Sequence, residues 1–205
     1  MSDKYWDEYP LLRTMTKLRN ARFKASERLS RRYKWHSLAL VVFSIYVIAL
    51  TILPNFFRDL SSYTLQIVSY VSAVSSVFVV ALSMYLAFSE DVVRAKYLHD
   101  NAKKVTNLYN KYRTEIYNYI NSNTNERIDN TLYEQTYSEI MDTCPYNHDP
   151  IDFNYAMLSL EKVSRVREAS TRVSEFLSVY LWPMAAFTLP PVAIFARLKL
   201  APIAM

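Results

Sequence analysis

Apolar and polar positions fall into blocks along this chain, and each block sets an element. Residues 1–37 are polar and basic. Residues 38–53 form a dense apolar core inside an uncharged stretch, 35–54, whose helix is expected to end at Pro54. A short stretch, 55–62, holds only Arg58 and Asp59, and then residues 63–88 carry no charged side chain over 26 positions. About 20 apolar residues in a helix cross the roughly 30 Å hydrocarbon core of a bilayer, and about 17 suffice for a short span. Two spans are therefore predicted, 38–53 and 63–88. A connection this short makes them antiparallel neighbours, a hairpin. Beyond residue 88 the pattern changes but no Gly or Pro intervenes before Ile120. Leu98, Ala102, Val105, Tyr109, Tyr112, Ile116 and Tyr119 recur at steps of four and three. That rhythm is the seam of a coiled coil. One unbroken helix is thus predicted to leave the membrane and continue in water as an oligomer seam.

The flanking blocks read as further helices. Before the first span, Leu11, Met15, Leu18, Ala25 and Leu29 share a face that Arg22 interrupts, with a start near Asp7 or Pro10. The polar break at 121–125 precedes a helix over 126–142 with Ile128, Leu132, Tyr133, Ile140 and Met141 as apolar positions. Within the loop at 144–153, Cys144, His148, Asp149 and Asp152 are metal-ligating residue types. A structural zinc site uses four ligands in spaced pairs, however, and no second Cys exists. The plainer reading has Asn147 and Asp149 fixing the turn before Pro150, with Asp152 capping the next helix. From 153 onward Val163, Val166, Ser170, Val173, Leu177 and Tyr180 share a face. A last apolar run, 176–196, is interrupted by Pro183, Pro190 and Pro191. It is expected to enter the membrane as a third segment, spanning or re-entrant, or else to cap the bundle.

Composition sharpens this picture in three places. Gly is absent altogether. Phosphate-cradling loops, dinucleotide fingerprints and nucleophile elbows need Gly where backbone turns sharply or meets a ligand, so this composition argues against an ordinary nucleotide enzyme. Long uninterrupted helices benefit, because Gly inside one costs about 1 kcal/mol relative to Ala. The single Cys144 allows no intramolecular disulfide and fits a cytosolic soluble part. No apolar core with a cleavage site stands within the first 37 residues, so no cleavable signal is expected.

Charge then orients the hairpin. Ten Lys or Arg precede the first span, one lies in the connection, and 11 lie between 89 and 174. Both long segments are expected to face the cytoplasm. The cluster Arg28, Arg31, Arg32 and Lys34 abuts the first span, where it reads as a membrane-surface collar. Capture of anionic lipid or nucleic acid is its sharper reading, and a topology signal its plainer one. The second span carries Ser69, Ser72, Ser76 and Ser83 along broadly one side. Small hydroxylated residues permit close helix packing in lipid; lining a pore in an assembly is the alternative. No ionisable side chain lies inside either span, which disfavours a proton relay or coupled transporter. Tyr residues in the seam could offer a stacking platform for nucleic acid, but burial against a neighbouring helix explains them more simply.

The order of these parts resembles a known family. Ala25-Ser26-Glu27-Arg28-Leu29-Ser30-Arg31-Arg32 leads into a span holding Phe43-Ser44-Ile45-Tyr46-Val47-Ile48-Ala49-Leu50. A second span runs into a helix over 95–109, and a Tyr133-Glu134 helix leads to Asn147-His148-Asp149-Pro150-Ile151-Asp152. This combination, over roughly residues 10–180, resembles the SLATT domain family. These are two-transmembrane effector modules that associate with SMODS nucleotidyltransferases and SLOG sensor domains in bacteria. The chain looks most like subfamilies that stand alone beside a partner gene, some of them accompanying reverse transcriptases. What the resemblance implies is an antiviral effector of the bacterial inner membrane that damages the bilayer when a partner senses infection. It brings no catalytic residues to carry over.

The expectation is therefore an all-α membrane protein in four parts. A basic N-terminal helix (1–37) leads into a transmembrane hairpin (38–88). A cytosolic helical or coiled-coil bundle (89–174) and a hydrophobic C-terminal segment (175–205) follow. It is expected to act without catalysis, cofactor or metal, with the N-terminus and 89–174 cytoplasmic. Its expected partners are the lipid bilayer, further copies of itself, and a sensor of nucleotidyltransferase, SLOG or reverse-transcriptase type, with no direct nucleic acid. The rival function is a passive anchor or scaffold for a cytosolic partner.

Overall fold

A computed structural model describes residues 9–56, 61–122, 128–158, 160 and 165–200 of the chain. Side chains at 122, 182, 185, 186 and 189–200 lie outside that description. Among the described residues six helices follow one another: α1 Pro10–Phe56, α2 Ser62–Phe88, α3 Asp91–Ser122, α4 Asn130–Asp142, α5 Pro150–Leu158 and α6 Arg165–Leu200. No strand occurs among the described residues. The protein is all-α, and α1 and α2 are both long and apolar enough to cross a membrane.

Helix boundaries follow local chemistry. The basic lead-in and the first span are one 47-residue helix that contains Pro54 within its last turn rather than ending there. Ser61 caps α2, its hydroxyl accepting from the Thr64 amide at 3.2 Å. The expected unbroken helix from 63 to 120 is in fact two. Ser89 takes an extended backbone (φ −71°, ψ 122°) and returns its N–H to the Leu86 carbonyl, ending α2 before α3 begins at Asp91. An acidic side chain in that first turn suits the positive end of the helix dipole. Asp129 caps α4, accepting from the amides of Thr131 and Leu132. The helix expected from residue 153 is likewise divided, into α5 and α6; Val163 lies outside the described residues.

The chain divides into two compact units. One comprises residues 1–30 with 91–175, and the other 31–90 with 176–205. The first is built like a small water-soluble bundle. Its largest core joins Leu12 and Met15 of α1, Val105, Leu108, Tyr112 and Ile116 of α3, and Tyr133 of α4. A second core packs Ala25 and Leu29 against Ala95 and Leu98, closed by Cys144 and Tyr146. A third seats Ala21 against Ala156 and Met157 of α5. Small residues at 21, 25, 95 and 102 let α1, α3 and α5 approach closely.

The second unit has the opposite character. Its only buried hydrophobic cluster among the described residues is Ala39 and Phe43, with Val79 and Phe187 packed against them. Of the 18-residue apolar windows, 17% is buried in α1 and 6% in α2. Ile45, Ile48, Val74, Val77, Val80 and Met84 all stand more than half exposed. Leaving such side chains in water forgoes about 1.5–3 kcal/mol each. These are not the core helices of a soluble domain, and lipid is the solvent that fits them.

Candidate functional site

Within the hairpin unit, aromatic contacts tie the helices together near one end. Trp35 meets Tyr180 edge-on at 5.3 Å, His36 meets Tyr85 at 5.9 Å, and Phe43 meets Phe78 at 5.7 Å. The apolar run of α6 thus packs on the hairpin through Tyr180 and Phe187. The Ser side of α2 divides. Ser72 and its neighbour Ser75 are buried, Ser83 is half-buried, and Ser69 and Ser76 are exposed. The hydroxyls of Ser76 and Ser83 donate to the Ser72 and Val80 carbonyls, each at 2.8 Å. Backbone bonding of this kind satisfies a hydroxyl in an apolar environment.

The heptad face of α3 is used within the protomer. Leu98, Ala102, Val105, Tyr112 and Ile116 are buried, Tyr109 packs at the rim of the largest core, and Tyr119 is half-buried. Their partners are α1 and α4 of the same chain. The Tyr residues are placed by polar contacts. Tyr112 lies 4.4 Å from Tyr133 between ring centroids, and its hydroxyl donates to Asn130 Oδ1 at 2.6 Å. The Tyr133 hydroxyl donates to the Glu115 carboxylate. Burial first, then nearby Tyr9 and carboxylates, pushes the Tyr112 phenol up to about 12. Tyr133 is likewise pushed up to about 12, by burial and then by its bond to Glu115.

The expected basic collar separates into two environments. Arg28 is buried within the protein: it is 4% exposed and its guanidinium is held by Asp152 at 2.7 and 2.9 Å and by Asp149. Burial opposes the charge, but these two carboxylates outweigh it, so the Arg28 pKa is raised. Arg31 and Arg32 are half-buried and Lys34 is exposed. The same loop explains Asp152 twice over. Its Oδ2 accepts from the Asp149 amide at 3.1 Å, while the Asp149 carbonyl accepts from the amides of Asp152 and Phe153. This is a capping arrangement at the start of α5, with Pro150 in the first turn, where its missing N–H costs nothing.

Arg22, which breaks the apolar face of α1, is also buried and donates to Asn101 Oδ1. Asn101 passes the connection on by donating to the Ile140 carbonyl at 2.6 Å. Cys144 donates to the Tyr146 carbonyl at 3.2 Å, and His148 stacks on Phe153 at 5.9 Å. Among the described residues no three His, Cys, Asp or Glu side chains gather as metal ligands. Sequence reasoning missed the tie between Arg28 and the loop, because its partners stand more than 120 positions away and no local pattern marks them.

The model of the SMODS and SLOG-associating 2TM effector domain family 5 matches residues 8–197. The chain belongs to that family. No curated protein and no solved structure matches it. As a 2TM effector domain it takes its two spans from α1 and α2, and membrane localisation follows from them and from the family. The family match includes the first unit as well, so the Arg28 tie and the Tyr core lie inside the effector domain.

Proposed function

We propose that this effector domain perturbs the bacterial inner membrane after a partner sensor detects infection, arresting or killing the cell without catalysis of its own. The observation that carries the reading is the contrast between the two units. A soluble bundle with filled cores is joined in one chain to a hairpin whose apolar side chains remain uncovered by protein. The orientation we assign puts residues 1–30 and 91–175 in the cytoplasm, in reach of a nucleotidyltransferase, SLOG or reverse-transcriptase partner. The partner shifts a population: it binds an assembled state of the effector more tightly than the resting state and so favours it.

We place the assembling surface on the span rather than on the heptad face, because that face is filled within one protomer. Ser69, Ser76 and Ser83 recur every seven residues, and the first two are exposed. Small residues at this spacing let a second helix approach closely. In the assembled state these Ser line the contact or the lesion.

The test is co-expression with the neighbouring genes under activating conditions, following membrane potential and propidium uptake. Wild type depolarises the membrane. Ser69→Leu with Ser76→Leu is expected to abolish depolarisation while the protein still accumulates in the membrane. Full membrane integrity in the activated wild type would overturn the effector reading in favour of a passive anchor for a cytosolic partner.

A further inference from the structure

The hairpin unit holds a groove of about 290 Å³ lined by His36 and Ala39 of α1, Phe78, Ala81, Leu82 and Tyr85 of α2, and Pro183 of α6. It exists because the lining is small where the helices face each other: Ala39 and Ala81 leave space that a larger side chain would fill. Its volume lies just below the roughly 300–1,000 Å³ typical of pockets that enclose a whole small molecule. The groove is large enough for a segment of an apolar chain. The lining is apolar except for the His36 imidazole, 5% exposed, and the Tyr85 hydroxyl.

Its position in the spans fixes what can reach it. His36 and Ala39 belong to the first turns of one span, and Leu82 and Tyr85 to the last turns of the other. With the spans assigned to 38–53 and 63–88, the groove falls at acyl-chain depth beside one leaflet. Arg31, Arg32 and Lys34 stand on the two turns before His36. Across residues 31–56 and 61–90, Glu90 is the only acidic side chain. An apolar slot adjoining an excess of positive charge matches an amphiphile with an anionic head. We propose that this groove is a binding site for one anionic phospholipid, with an acyl chain against Ala39 and Ala81 and the phosphate at the 31–34 cations.

The site differs from a general positive collar, because it holds one lipid per protomer and depends on groove shape as well as charge. It also stands apart from how the effector damages the bilayer. Native mass spectrometry of the full chain, released from bilayers of equal phosphatidylglycerol and phosphatidylcholine, reads it directly. Wild type is expected to retain one phosphatidylglycerol per protomer, at least about 25-fold over phosphatidylcholine, as two juxtamembrane cations at about fivefold each would give. Ala81→Phe should lose the retained lipid, and Lys34→Gln should lower the preference about fivefold, the share of one cation. Val77→Phe, on an exposed face of the same span, should behave as wild type. Ala39→Leu supplies a second groove-filling variant should Ala81→Phe fail to accumulate. Equal retention of the two lipids by wild type, or full retention by a folded groove-filled variant, would overturn the proposal.

Discussion

At the scale of single residues, the first unit depends on where charge is buried. Arg28 and Asp152 are 4% and 2% exposed, whereas the Asp149 carboxylate is about half exposed. Breaking a buried pair from one side leaves an uncompensated charge, which costs about 3–5 kcal/mol; exposed partners contribute about 0–1 kcal/mol. Arg28→Ala is therefore expected to lower the thermal midpoint of the detergent-solubilised chain far more than Asp149→Asn. Equal shifts for the two would contradict this ranking. Arg28→Lys should recover only part, since a point charge cannot match the two-toothed contact with Asp152. The neighbouring His148 supplies a pH dependence. Burial first, then Arg22, holds its pKa below the ordinary value, and Asp152 and Asp149 oppose this in part. The folded chain thus binds that proton more weakly than the unfolded chain does. Its contribution to stability is complete above about pH 6.5 and is lost as pH falls from there towards the folded value. A melting series from pH 8 to pH 5 should show a shallower acid-side decline for His148→Gln than for wild type.

At the scale of elements, α3 shows how one pattern serves two designs. A four-three repeat of apolar residues specifies a helix with a single sticky stripe, and it does not specify whose helix covers the stripe. Here α1 and α4 cover it. Val105→Asp therefore puts a carboxylate into a fully buried position, a change among the most destabilising classes, costing more than about 4 kcal/mol. The expected outcome is loss of the cooperative thermal transition of the first unit by circular dichroism, not dissociation of otherwise folded subunits. Tyr117→Lys, on the exposed side of α3, should leave the transition within about 0.5 kcal/mol. The same reasoning explains how much of the architecture could be read beforehand. The helices and most apolar positions of α3 are local properties of spacing, so they were legible, whereas Leu132, expected on the apolar side of α4, is 55% exposed. The break at Ser89 was not, because Ser and Glu at 89–90 are tolerated in helices and the chain leaves the helix through backbone angles alone. The Arg28 tie joins residues more than 120 positions apart, and no local pattern encodes such a partner. The sequence-expected face of α6 illustrates the converse. Val166, Val173 and Leu177 are 80%, 57% and 48% exposed, while Thr171, Val179 and Pro183 are buried.

At the scale of the whole molecule, the proposal requires that the soluble unit and the sensor share a compartment, so orientation decides whether the mechanism can operate. Positive charge supplies the physical reason for the assignment. Lys and Arg near span ends resist translocation, and here ten precede the first span and 11 lie between 89 and 174, against one in the connection. On the orientation we propose, both charged segments stay on the side of synthesis and the connection crosses. The single cysteine makes this directly measurable, because Cys144→Ser removes every native thiol. In that background, one cysteine at Ser62, exposed at the start of α2, reports the connection. Another at Lys104, exposed on α3, reports the soluble unit. With a membrane-impermeant maleimide applied to spheroplasts, Ser62→Cys is expected to label at once and Lys104→Cys only after the membrane is opened. The reverse pattern would place residues 91–175 outside the cytoplasm, out of reach of any cytosolic sensor, and would sink the activation scheme even if the hairpin itself damaged the bilayer.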